Sequence, residues 1–130
     1  MTAPNVVAVA TITAKTNFIS LADTNANAVI SNPASSNKVM KINTIFVAND
    51  DGVNSATIDL IMHDKDGGPT ENPAPSKSIE IAKTVLIPPG ATAVILDKNS
   101  ALYLEEDHSI YATASAANDL NVFCSYEEIS

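Results

Sequence analysis

Apolar residues recur at every second position along most of this chain. That is the period a β-strand imposes, because successive side chains leave a strand on opposite faces. Met40, Ile42, Thr44, Phe46 and Ala48 fall on one face of such a run, and Ala56, Ile58, Leu60 and Met62 on one face of the next. No stretch longer than one turn carries helical spacing. Strands are predicted at residues 5–13, 18–21, 28–31, 38–48, 56–63, 79–87, 91–97, 102–104, 109–115 and 120–129. The segments between them are turn-forming: Asp23-Thr24-Asn25-Ala26-Asn27, Asp50-Asp51-Gly52, Pro88-Pro89-Gly90 and Ala116-Ala117-Asn118-Asp119. Residues 64–77, with two Gly and three Pro, are expected to form a long exposed loop.

Short strands at regular spacing predict an all-β fold, an antiparallel β-sandwich of jelly-roll-like form. A length of 130 residues fits a single domain over 1–130, with residues 1–31 as an N-terminal arm or edge strands. Hydrophobic residues make up 45% of the chain, enough for a core without metal or disulfide support. The core is expected to hold Met40, Ile42, Phe46, Ile58, Leu60, Ile110, Val122, Cys124 and Tyr126. The single Cys124 lies in an apolar alternation beside Phe123 and Ser125, neither of which would activate a thiol, so it reads as a small core residue.

Charge narrows the partners. Seven basic residues against fifteen acidic give a net charge of -8, and all seven are Lys. Without Arg the chain lacks the planar fork that reads phosphate and guanine, so neither nucleic acid nor an anionic membrane is expected as a partner. Residues 1–13 lack the basic opening of a secretory signal, and no run reaches the length of a membrane-spanning helix.

Each candidate for chemistry has a simpler reading. Asp64-Lys65-Asp66-Gly67-Gly68, near Asp50-Asp51-Gly52, has the acid and glycine content of a calcium loop. Its twelve-residue frame ends on Pro75 rather than a bidentate Glu, and Asp and Gly form turns without any ion. His63 and His108 are the only histidines. His63 falls on the polar face of its strand, where a solvated ring is expected, and His108 follows Glu105-Glu106-Asp107 in a turn, where it offsets negative charge. Nucleophile elbows and phosphate-binding glycine loops are missing from the sequence. No residue is therefore assigned as catalytic, cofactor-binding or metal-ligating, and the chain is expected not to be an enzyme.

Several strands look apolar on both faces. Val39, Ile45 and Val47 oppose Met40, Ile42 and Phe46; Val85 and Ile87 oppose Leu86; Ile95 opposes Val94 and Leu96. One wet face should alternate cleanly. The second row, with Ile45 and Val47 at its centre, is therefore expected to meet the N-terminal arm or another subunit.

Four further stretches carry a resemblance: Ile87-Pro88-Pro89-Gly90-Ala91-Thr92 through Leu96; Leu102 through Ile110; Thr113-Ala114-Ser115-Ala116-Ala117-Asn118; and Ser125-Tyr126-Glu127-Glu128-Ile129-Ser130. Together they resemble small virion structural proteins of tailed bacteriophages, especially cyanophages. The resemblance covers the C-terminal half and, more loosely, residues 41–60. Where that family has Gly-Asp-Ser-Ile, this chain has Glu106-Asp107-His108-Ser109-Ile110. The resemblance implies a β-sandwich, many copies per particle, no enzymatic role and no cofactor. It further implies other capsid or tail subunits and copies of itself as partners, within a virion assembled in the host cytoplasm. A capsid decoration protein is the leading expectation. A neck, tail or baseplate subunit is the alternative, as is a receptor- or carbohydrate-binding fibre module, which exposed aromatics or a bound Ca²⁺ would favour.

Overall fold

The computed structural model describes residues 8–130. Nine strands succeed one another in chain order: β1 Ile12–Ser20, β2 Asn27–Asn32, β3 Val39–Asn49, β4 Ala56–His63, β5 Ser78–Ile87, β6 Thr92–Leu96, β7 Leu102–Leu104, β8 His108–Ala114 and β9 Leu120–Ile129. The helical content described is two single turns, Gly68–Thr70 and Lys98–Ser100. The strand expected at 5–13 falls partly on residues 5–7, outside the described residues; strand structure begins at Ile12 and absorbs the separate strand expected at 18–21.

All strand pairs described are antiparallel, in two sheets ordered β1-β9-β3-β6 and β2-β8-β4-β5. Strand β7 extends the line of β6. It pairs with Met40–Ile42 while β6 pairs with Ile45–Ala48, and the Lys98–Ser100 turn interrupts the two. The pairs β1·β9, β2·β8, β3·β6 and β4·β5 are those of one long hairpin folded at the β4–β5 connection and rolled into two layers. That is a jelly roll. Strands β1 and β2 of the expected arm are thus edge strands, one in each sheet.

Between the sheets lies one core: Leu21, Val29, Ile30, Met40, Ile42, Ile45, Val47, Ile58, Leu60, Ile87, Leu104, Ile110, Leu120, Val122, Cys124 and Tyr126 are all buried. Each large aliphatic side chain withdrawn from water stabilises the fold by about 1.5–3 kcal/mol before entropy is counted. Eight of the nine expected core residues are among them; Phe46 is not. The cause is a β-bulge. Opposite β9, Ile42 faces Tyr126 and Thr44 faces Ser125, leaving Asn43 as an extra residue. An extra residue reverses which positions point inward. Even-numbered side chains enter the core up to Ile42, odd-numbered ones from Ile45 onward. Met40 and Ile42 from one apolar row and Ile45 and Val47 from the other are therefore successive parts of one buried row. Ile45 and Val47, expected at a subunit contact, are core residues with no exposure.

Two buried amides join the layers. Asn32 donates to Lys38 O at 2.9 Å and Leu104 O at 3.1 Å, and accepts from the Ser36 hydroxyl at 2.6 Å. At the other end of the sandwich, Asn49 donates to Asn54 O at 2.9 Å and Ile87 O at 3.0 Å, while its oxygen accepts from the Asp51 N–H. Each satisfies carbonyls where a strand leaves its sheet, which buried polar groups require.

Candidate functional site

The 64–77 loop is held by its own polar groups together with Ala34, Asp107, Ser109 and Tyr111. The Asp64 carboxylate accepts from the Ser76 hydroxyl and the Lys77 N–H, and these bonds hold its pKa below the usual range. Asp66 accepts from the Ala34 N–H at 3.1 Å. Asp107 accepts from the Asp66 N–H at 3.2 Å and from Lys65 Nζ at 3.3 Å. Ser109 donates to Lys65 O and Tyr111 to Gly67 O. Gly68 has φ of +61°, and its α-carbon lies so close to the Tyr111 ring that a side chain would overlap it. The acids that give this loop its calcium-like composition, Asp64 and Asp66, are thus engaged in separate hydrogen bonds within the protein. Among the described residues no group of three or more His, Cys, Asp or Glu is arranged to hold a metal ion.

Packed down in this way, the loop covers part of the outer face of the second sheet and corrects the reading of His63. That ring is 4% exposed rather than solvated and meets Tyr111 edge-on at 5.5 Å. Burial lowers its pKa, against the pull of Asp64. Its Nδ1 lies 2.8 Å from Ser78 Oγ, the residue facing it across β4 and β5. Ser78 carries no signal of this contact in the sequence, because only strand register brings it to His63. With Met62, Asp64, Lys77, Ile79 and His108 the ring lines a hollow of about 180 Å³, smaller than the ~300–1,000 Å³ of ordinary ligand pockets. A hydrolytic serine needs a base oriented by a third group, and Asp64 is already engaged with Ser76 and Lys77. His108 turns its Nδ1 to Glu106 O at 2.8 Å, a turn contact. What the arrangement does is satisfy a buried histidine.

The surface with most to offer a partner is the outer face of the first sheet. Register places Phe18 beside Phe123, Phe123 beside Phe46 and Phe46 beside Val94, an apolar row crossing four strands. The Phe46 and Phe123 rings stack with centroids 4.8 Å apart and planes 10° from parallel; Phe18 joins at 6.2 Å. Phe18 is 72% exposed and Val94 61%. Neighbouring rows are Thr16, Ser125 and Thr44 on one side and Ser20, Asn121, Ala48 and Thr92 on the other. The charges described on this face are Lys41 and Glu127, opposite each other on β3 and β9 with Nζ and Oε2 3.9 Å apart. A chain of net charge -8 thus keeps one broad face almost free of charge. The apolar surplus expected from the sequence is present, but on β3 it surfaces at Phe46 rather than at Ile45 and Val47.

No known protein family and no curated protein matches this chain. A solved structure from Bacillus endospore appendages, described as a novel family of disulfide-linked pili, is similar over 92% of this chain and 88% of that one, with 14% identity and a TM-score of 0.46.

Proposed function

We propose that this chain is a non-enzymatic structural subunit of a tailed-bacteriophage virion, present in many copies as a capsid accessory protein. The observation that carries the reading is the aromatic face of the first sheet, whose described charges are the paired Lys41 and Glu127. An apolar centre with charge kept to its margin is the composition of a protein interface core, and aromatic residues are the usual anchors. The virion context rests on the resemblance of the C-terminal half. Partners on this reading are other virion proteins, and the chain is located in the particle.

The test is incorporation. Val94→Asp replaces an exposed side chain, so the variant should fold and melt like the parent. Its copy number in particles, counted by mass spectrometry, should fall at least tenfold. Normal incorporation would remove the face from the proposal, and absence of the parent chain from purified particles would remove the virion reading itself. One observation favours a second reading: exposed Phe18 and Tyr103 supply the aromatics that a carbohydrate-binding fibre module uses for stacking. Glycan-induced shifts in the Phe18 and Tyr103 resonances would move the assignment there.

A further inference from the structure

We propose that β1 is an assembly edge, pairing antiparallel with β1 of a second copy to continue the first sheet across two chains. The proposal stands on the backbone of β1, which among the described residues pairs on one side only, and it is independent of the aromatic face.

A sheet edge presents unpaired N–H and C=O groups, and proteins usually blunt it. Three edges here are blunted. Strand β2 shifts register between Ala28 and Ile30. Strand β5 shifts twice and holds Thr84 at φ of 53°. The β6–β7 edge is interrupted by the turn at Lys98–Ser100. Strand β1 is different: its nine residues pair with β9 without a shift, from Ile12 opposite Ile129 to Ser20 opposite Asn121. Beside it the sandwich opens into a cleft of about 400 Å³ between β1 and β2.

The direction of the free groups is set by the ladder. Thr11 and Ser130 exchange both backbone hydrogen bonds, at 3.0 and 2.9 Å, and the Leu21 N–H reaches Leu120 O at 2.9 Å. Antiparallel bonding alternates, so odd-numbered residues of β1 bond to β9 while Ile12, Ala14, Thr16, Phe18 and Ser20 point their backbone groups away from the sheet. Among protein partners, only an extended chain can satisfy such a row.

Register and charge select a second copy as that chain. A two-fold axis through Thr16 pairs all nine residues: Thr16 with its counterpart, Ala14 with Phe18, Ile12 with Ser20. That makes about ten new backbone hydrogen bonds. The charged residue on β1, Lys15, is held by its own Glu128 at 3.0 Å, and in this register it faces Asn17 of the copy. Shifting the axis to residue 15 would set Lys15 against Lys15, which like-charge repulsion disfavours. Phe18, stacked on Phe123 toward its own sheet, would gain Ala14 of the copy on its open side.

A single strand pair is a small interface, so the isolated 130-residue chain should associate weakly and in a concentration-dependent way. Sedimentation equilibrium should show a reversible dimer below about 1 mM. Thr16→Pro removes a donor aimed at the free edge and no bond to β9, a placement proline tolerates; it should leave the circular dichroism unchanged and abolish the dimer. As a second measurement, Thr16→Cys should form an intermolecular disulfide on mild oxidation, since hydrogen-bonded pairs hold α-carbons about 5.5 Å apart. Thr13→Cys, whose counterpart lies far along the strand, should not. A wild-type chain that stays monomeric to that concentration overturns the proposal. So does a dimer indifferent to Thr16→Pro, or disulfide formation equal at the two positions, either of which would place the contact elsewhere.

Discussion

The bulge at Asn43 makes a quantitative claim about two adjacent residues. Ile45 has no exposure and belongs to the core cluster, whereas Phe46 lies on the opposite face with its ring stacked on Phe123. Truncating a fully buried isoleucine to alanine costs about 2–5 kcal/mol, the lost transfer energy plus the cavity. Truncating Phe46 loses a stacked aromatic pair, about 0.5–1.5 kcal/mol, and a partial burial of similar size. Ile45→Ala should therefore exceed Phe46→Ala by about 2 kcal/mol, a factor near 30 in the unfolding constant. In a domain of this length, each kcal/mol shifts the melting midpoint by about 3–6 °C. Urea titrations monitored by circular dichroism, extrapolated linearly with a shared slope, measure both variants. A deletion sharpens the test. Removing Asn43 joins the pairs Ile42–Tyr126 and Thr44–Ser125 into a continuous ladder without moving Ile45 or Phe46 to a new face. The shortened chain should fold and keep the same ranking. If Phe46→Ala is the more costly, or the deletion unfolds the protein, the bulge does not set the faces of β3.

Asn32→Ala and Asn49→Ala should each cost about 2–4 kcal/mol in the same titrations, because each leaves buried carbonyls without a donor; a loss below about 0.5 kcal/mol would mean water replaces the amide. Gly68→Ala should destabilise by at least about 1 kcal/mol, since the residue combines positive φ with contact against Tyr111, and a neutral result would show that the loop lifts off the sheet. Burial pushes the Cys124 thiol up to about 12. It should resist a thiol reagent at pH 8 in the folded protein and react once denatured; rapid labelling of the native chain would refute its burial. Lys38 and Lys15 bond to Glu128 and hold its carboxyl below the usual 4.5. Its folded value is thus the lower one, so its contribution to stability is present above pH ~4.5 and is lost as pH falls further. Glu128→Gln should flatten the stability profile in that acid window, and an unchanged slope there would discount the two ion pairs.

Most of the fold was legible because its determinants are local. Period-two alternation ends wherever Gly, Pro, Asn or Asp permits a turn, and these signals located β3, β4, β5, β8 and β9 to within a residue or so. Sheet order was less accessible. Nothing in residues 12–20 says that they pair with residues 121–129 at the far end of the chain; that pairing arises from rolling a long hairpin whose two arms have complementary inward faces. Strand parity failed at one place for one reason. Asn43 is polar in a position where a polar residue was expected, so the pattern gives no sign of an extra residue. The step shows only further along the strand, where both Ile45 and Phe46 are apolar.

That ambiguity also decided how much of the candidate surface could be read. An apolar surplus on both faces of a strand has two physical sources: a second buried face, or one buried face displaced by a bulge. The sequence offers the same string for both, and the pairing partner separates them. Once β9 fixes the register, Ile45 and Val47 become core, and Phe46 becomes the middle of a row that no single strand contains. Phe18, Val94 and Phe123 lie on three other strands, 28, 48 and 77 positions from Phe46 in the chain. Their adjacency is a product of topology alone. That β1 has a single neighbour among the described residues was hidden for the same reason, since whether a strand has one neighbour or two is not written in the strand.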